Sequence, residues 1–150
     1  MMTTKEHVHA ACLEELNNSI IFFQKALSDL KDGAQNDAKS SAGDKHETSL
    51  SMMQIEQEKI RKQLKEVQEM KASLDKLNPH VVSRKINLGS LIKTNIGYFY
   101  IAVALGKLRL DQLELYVMSP QSPMAIKLIG LSVHDEFEMN SKKIVIQDIF

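Results

Sequence analysis

Asp44 and Glu47 are the residues of this chain whose type and spacing could do chemistry. Three residues apart on a helix, two carboxylates share a face and can offer oxygen ligands to a hard cation such as Mg²⁺. Two carboxylates alone bind Mg²⁺ weakly, because the ion completes its shell with water, phosphate or further carboxylates. The same spacing fits a helix N-terminus, with Asp44 as the N-cap and Glu47 at N3. The two interpretations are compatible, since a capped helix start also fixes where both carboxylates point.

The apolar residues on either side of this pair predict a long helical hairpin. They follow one another at alternating steps of three and four, a rhythm that two helices need to pack as a coiled coil. The two sets are Leu13, Leu16, Ile20, Phe23, Leu27, Leu30 and Ala34, and then Leu50, Met53, Ile60, Leu64, Val67 and Leu74, with Gln57 and Lys71 as polar interruptions. Paired antiparallel, position 20 with 67, 27 with 60 and 34 with 53 share one midpoint, between Gly43 and Asp44.

The helix boundaries follow from capping and stop signals. We expect the first helix to begin near Thr3, whose spacing to Glu6 fits a capping box, and to end at about Lys39. The second helix should run from Asp44 to Leu77, where Asn78-Pro79 stops it. Residues 1–78 are therefore predicted to form an antiparallel coiled-coil hairpin with its tip near residues 40–47.

Residues 79–150 predict a small sheet domain that anchors the base of the hairpin. Short apolar runs between turn signals are typical of antiparallel strands. The predicted strands are Lys85–Thr94, Tyr98–Ala104, Leu113–Met118, Glu136–Met139 and Lys142–Ile149. Between them Ser122 is a good N-cap, Pro123 suits a first helical turn, and Gly130 suits the end of one short helix. The predicted fold class is α+β, a long coiled-coil hairpin followed by a small antiparallel sheet domain with one short helix.

Composition excludes several classes of function. The 19 basic and 19 acidic residues balance, which argues against non-specific duplex binding as the main activity. The single cysteine cannot form an internal disulfide, no run of apolar residues is long enough to span a membrane, and Met1–Thr4 do not open a signal peptide. We therefore expect a cytoplasmic monomer. No Ser/His/Asp set, Cys/His set, phosphate-binding loop or zinc spacing is present, so no autonomous enzyme is expected.

The sequence resembles the Gre-type transcript cleavage factors, GreA and GreB, in the order and spacing of short motifs along nearly the whole chain. Residues 43–48 are similar to the family's Gly-Asp-x-x-Glu-Asn tip, with Thr48 in place of asparagine. Gly89-Ser90 and residues 119–124 are similar to the Gly-Ser and Ser-Pro segments of its C-terminal domain. Residues 130–136 are similar to the segment that follows there, with His134 in place of a glycine.

The resemblance implies a fold and a function. Residues 79–150 would be an FKBP-like domain, and the hairpin would enter the secondary channel of RNA polymerase. Asp44 and Glu47 would be the catalytic and metal-positioning residues, holding Mg²⁺ in a shell completed by the polymerase. They would stimulate the polymerase's own cleavage of backtracked RNA, which lies near the tip and is contacted indirectly. The partner-binding residues that dock on the channel rim would be Ser119, Pro120, Gln121, Ser122, Pro123 and Met124.

Alternatives to cleavage remain. The departures at Thr48 and His134 also fit a Gre-like regulator that binds or blocks the channel without cleavage. A coiled-coil interaction scaffold would need no acidic tip and should self-associate, and residues 119–124 would then be a plain strand-to-helix connection. A prolyl isomerase would need an aromatic-lined pocket, for which the second half has few aromatic residues and no Trp.

Overall fold

The computed structural model of the chain describes residues 4–40 and 44–150, and describes side chains for residues 4–33 and 47–150. In chain order the elements are α1 (Lys5–Ser40), α2 (Asp44–Asp75), β1 (Leu91–Thr94), β2 (Gly97–Ile101), β3 (Gly106–Leu110), β4 (Leu113–Met118), α3 (Pro123–Leu128), β5 (Glu136–Met139) and β6 (Lys142–Ile149). Two long helices precede a six-stranded sheet with one short helix, so the predicted α+β fold class is confirmed. None of the described helices is both long and apolar enough to cross a membrane.

Contacts divide the chain into two compact units. The sheet unit is Met1–Glu14 with Ala72–Phe150, and the arm unit is Glu15–Lys71. The first turns of α1 and the last turn of α2 thus belong with the sheet. The division predicted from the sequence, at residues 78 and 79, follows the end of the second helix instead.

The arm unit is a pair of helices that share a narrow apolar seam. Its described seam side chains are the shielded ones: Leu16, Ile60 and Val67 are buried, and Ile20, Phe23, Leu27, Leu30, Leu50, Met53 and Leu64 are half-buried. A Cβ built on Gly33 would lie 3.7 Å from Cε of Met53, and Leu27 lines one groove with Arg61. These contacts match the predicted antiparallel register.

The ends of the helices differ slightly from the prediction. Thr4 caps α1, because its Oγ1 accepts a 3.3 Å hydrogen bond from the His7 backbone N–H. Thr3, the predicted cap, lies outside the described residues, and no capping box forms with Thr4 because the third helical residue is a histidine. At the other end α2 stops at Asp75, and bonds from Lys76 and Leu77 to carbonyls three residues back tighten the final turn before Asn78-Pro79.

The sheet has the strand order β3-β4-β2-β1-β6-β5 and is mixed rather than purely antiparallel. Strands β2 and β4 are parallel, with Phe99 opposite Tyr116 and Ile101 opposite Met118. The reason is β3, which the sequence analysis missed. It pairs antiparallel with β4 at the edge of the sheet, so β4 returns beside β2 in the same direction.

Two local features explain why the sequence analysis missed β3 and predicted too early a start for β1. The residues around Gly106 predict a turn, and Gly106 does have a φ of +88°. The chain then alternates between buried Leu108 and exposed Lys107 and Arg109, which is an edge-strand pattern. Strand β1 starts later than predicted because Asn87 and Ser90 close a turn, with the Asn87 N–H donating to Ser90 Oγ at 3.0 Å.

The sheet lies between two helical layers within its unit. Side chains of β2 alternate between faces: Phe99 and Ile101 join a core cluster with Ala125 and Leu128 of α3. Tyr100 points the other way and forms a hydrogen bond with His9 of α1. The sheet therefore buries both faces at β2, and α3 covers only part of its own side.

Candidate functional site

The two acidic residues lie at the start of α2. This helix begins at Asp44, α1 ends at Ser40, and Glu47 is exposed in the first turn. The side chain of Asp44 lies outside the described residues. Its backbone position, one helical turn from Glu47, puts both residues on the same helix face.

Glu47 presents an exposed carboxylate at this helix start. Exposed carboxylate oxygens are the ligands that Mg²⁺ accepts from proteins. Among the described side chains, no group of three or more His, Cys, Asp or Glu residues could hold a metal ion. A cation at Glu47 would therefore need Asp44 together with ligands from a partner.

Of the predicted docking residues, 119–122 connect β4 to α3, and Pro123 and Met124 are the first two residues of α3. Ser122 is the N-cap of α3, as predicted: its Oγ accepts a 3.2 Å bond from the Ala125 N–H. Its own N–H donates to the Ser119 carbonyl at 3.1 Å, which closes a turn. These bonds occupy Ser122 in local structure, so the exposed side chains of the loop are Gln121 and Pro123.

The last of the predicted docking residues, Met124, lines a cleft that the sequence analysis did not anticipate. Met124 is half-buried against the core cluster. With Met118 and Met139 it borders a cleft of about 540 Å³ on the α3 face of the sheet. The floor includes buried Phe99 and Ile144. The alternation of apolar and polar residues in β4 places Tyr116 on the solvent-facing side of the strand. The sequence signal that could have indicated the cleft was the presence of large apolar residues on that side as well.

The parallel pairing of β2 and β4 builds the aromatic part of this cleft. It places Tyr116 beside Phe99, with ring centroids 6.5 Å apart and an interplanar angle of 26°. Phe99 is 8% exposed, whereas Tyr116 is 51% exposed. The outer ring is therefore available to a ligand while the inner ring supports it.

A buried polar cluster holds the start of α1 on the other face of the sheet. His9 Nδ1 and Tyr100 Oη share a 2.8 Å hydrogen bond. Lys5 Nζ donates to the carbonyls of Val81 and Phe150, the latter at 3.2 Å. Each group in the cluster that titrates is removed from water, and the sequence alone gave no sign of this arrangement.

Burial perturbs the titration of this cluster. Desolvation lowers the pKa of Lys5. Desolvation also lowers the pKa of His9, with Asp75 opposing the shift and Lys5 adding to it. Burial, and after it the charge of Cys12, raises the pKa of Tyr100. Both shifts favour the neutral forms of the two hydrogen-bonded groups.

No family model matches this sequence, and no curated protein is significantly similar to it. A solved structure described as the transcription factor Gfh1 is 18% identical, with a TM-score of 0.38, over 93% of each chain. A structure of GreA factor homolog 1 (Gfh1) from Thermus thermophilus is 17% identical, with the same TM-score, over 93% of this chain and 95% of that one. At this level of similarity neither structure bears on the function of this chain.

Proposed function

We propose that this protein is a transcription elongation factor that binds in the secondary channel of RNA polymerase and promotes cleavage of backtracked RNA. The observation that carries the proposal is the position of the acidic pair. Helix α1 ends at Ser40, helix α2 begins at Asp44, and Glu47 is exposed one turn later. The arm unit contains 26 residues of α1 after Glu14, a rise of roughly 40 Å. A narrow arm of this length can carry two carboxylates into a partner's interior.

The chemistry of the pair supports assistance rather than autonomous catalysis. Asp44 and Glu47 supply negatively charged oxygen donors, and the polymerase supplies the remaining ligands and the substrate. A bound Mg²⁺ would stabilise the attacking and leaving oxygens of phosphodiester hydrolysis. Asp44 and Glu47 occupy the same face of the first turn of α2, where the positive end of the helix dipole favours negatively charged side chains.

The loop between β4 and α3 is the proposed docking element on the polymerase. Ser119, Ser122 and Met124 shape the loop, whereas Gln121 and Pro123 present exposed surface to the partner. In this proposal the protein works in the cytoplasm as a monomer, and RNA is reached only through the tip.

The test is transcript cleavage in stalled complexes of purified RNA polymerase. Asp44→Asn and Glu47→Gln keep side-chain size and part of the capping ability, so each should cost at most about 1 kcal/mol of stability. We expect either change to abolish stimulated cleavage nearly completely without weakening polymerase binding, because an amide oxygen is a poorer Mg²⁺ ligand than a carboxylate. Raised Mg²⁺ should restore part of the activity.

The matched control is Glu56→Gln, an exposed acid farther along α2. It should leave cleavage at the parental level. If the tip variants melt several degrees lower and cleavage is unchanged, the pair is a helix cap only, and the proposed cleavage role is wrong.

A second candidate is a factor that occupies the channel or acts as a scaffold without cleavage. Thr48 stands where the Gre-type family has asparagine, and this difference favours a factor that occupies the channel without cleavage. A scaffold is favoured by the large apolar side chains that are exposed on the arm, which are Ile21, Phe22, Met52 and Ile55. Inhibition of elongation without RNA shortening would identify a channel blocker, and self-association through the arm in sedimentation would identify a scaffold.

A further inference from the structure

The cleft beside α3 exists because the helix is too short to cover the sheet. Helix α3 has six residues, about 9 Å of rise, against a sheet of six strands. Its buried residues, Ala125 and Leu128, cover the end of β2 at Ile101. The part of that face around Phe99 and Ile144 lies under the cleft, and among the described residues no other helix joins its core cluster.

The lining of the cleft suits a large apolar side chain. The floor is formed by the Phe99 ring, and three methionines stand around it: Met118, Met124 and Met139. Methionine is unbranched and polarisable, so it adapts to apolar groups of different shape and is over-represented at surfaces that bind peptides. Such a lining accepts one large side chain without demanding a single shape.

The rim of the cleft favours a protein segment over a small molecule. Ile96 is 48% exposed and Tyr116 is 51% exposed, so the rim continues as an apolar surface beyond the floor. A small ligand would leave this rim in water. A polypeptide that crosses the cleft would cover it, because its backbone and neighbouring side chains extend past the inserted group.

The charge at the rim of the cleft indicates which residue should lie next to the inserted apolar side chain in a bound segment. Lys142 is the one charged residue that lines the cleft, and it forms no ion pair with the described residues. Two other lysines of the sheet do have partners: Lys143 lies 3.1 Å from Glu136, and Lys107 lies 3.5 Å from Glu114. The complementary group at the Lys142 end is a carboxylate.

We propose that this cleft is a docking groove for a partner protein segment that presents a large apolar side chain next to an acidic residue. The apolar side chain enters between the three methionines and covers Phe99. The carboxylate pairs with Lys142. The cleft shares Met124 with the docking element proposed above, but the inference does not depend on the acidic tip and holds whichever role the arm has.

The test uses defined peptides and methionine methyl resonances. The full chain is labelled with ¹³C at its methionine methyls and titrated with a capped heptapeptide, Gly-Ser-Phe-Asp-Asp-Ser-Gly. Two control peptides replace either both acids with lysine or the phenylalanine with serine. We expect saturable shifts at Met118, Met124 and Met139, with the arm residues Met52 and Met53 unmoved.

A charge reversal at the rim provides the matched pair of variants. Lys142→Glu should weaken binding of the acidic peptide by about three- to tenfold and should improve binding of the lysine peptide, because attraction becomes repulsion. Lys143→Glu, its neighbour on β6, should leave both affinities unchanged since it does not line the cleft.

Three results would overturn the proposal. One is the absence of saturable shifts across the millimolar range of the acidic peptide. Another is equal binding of the three peptides, which would remove the role of the apolar group and of the charge. The third is a set of shifts confined to the arm methionines, which would place binding elsewhere.

Discussion

The His9 imidazole and the Tyr100 hydroxyl lie 2.8 Å apart in a buried hydrogen bond that joins α1 to the centre of the sheet. His9 is 7% exposed and Tyr100 is fully buried. The two residues are 91 positions apart in the chain, so this contact forms only when the base of the hairpin packs on β2. It makes the attachment of α1 to the sheet sensitive to protonation and to the loss of one hydroxyl.

Stability should fall as the pH is lowered below neutrality. Burial holds the pKa of His9 below its ordinary value, so the unfolded chain binds this proton more readily than the folded one. The contribution is fully present above the unfolded pKa of about 6.5 and is lost as the pH falls through the lower, folded pKa. Urea unfolding at several pH values between 8 and 5 measures this slope. His9→Gln should flatten it, and His7→Gln, an exposed neighbour, should not. An unchanged slope in His9→Gln would contradict the prediction.

Removal of the Tyr100 hydroxyl should be costly. Tyr100→Phe leaves the buried His9 nitrogen without its partner, and an unsatisfied buried polar group costs about 1–3 kcal/mol. Chemical denaturation measures this loss. The control is Tyr98→Phe on the same strand, whose hydroxyl makes no hydrogen bond with the described residues and which should change stability by less than about 0.5 kcal/mol. Equal effects of the two variants would show that the His9–Tyr100 bond contributes nothing.

The register of the arm predicts a disulfide within one chain. In a Cys12→Ala background, Leu27→Cys with Ile60→Cys should oxidise to a monomeric, crosslinked species, because these positions face each other across the seam. Leu27→Cys with Met53→Cys should not, since Met53 lies about 10 Å farther along α2. Non-reducing electrophoresis with mass spectrometry distinguishes the products. Crosslinks formed only between chains would mean that the hairpin does not close on itself.

Docking and folding can be separated within the loop before α3. Ser122→Ala removes the helix cap and should lower stability by about 1 kcal/mol with little effect on partner binding. Gln121→Arg changes an exposed side chain that makes no described hydrogen bond, so it should weaken polymerase binding while the melting temperature stays the same. Surface-bound polymerase measures the affinity. A well-folded Gln121→Arg variant with parental affinity would move the docking site out of this loop.

The sequence alone determined the elements whose signals are local. The alternating steps of three and four residues specified the seam and its register, and Ser122-Pro123 specified the start of α3. The bounds of β4, β5 and β6 also match the prediction, because each strand is bordered by its own turn residues. These features depend on interactions among residues that are close in the chain, and their energetics can be read from spacing.

Tertiary structure decided the features that depend on pairing between distant segments. The residues around Gly106 predict a turn when they are considered alone. They form strand β3 because pairing with β4 stabilises the extended conformation. The parallel pairing of β2 and β4 then places Tyr116 over Phe99 and brings Met139 from β5 to the same cleft. The hydrogen bond between His9 and Tyr100 also depends on tertiary packing, because it joins residues that are distant in the chain. In each case the stabilising free energy comes from burial and hydrogen bonds that form only when distant segments pair. The sequence of a single strand does not specify which segment it will pair with.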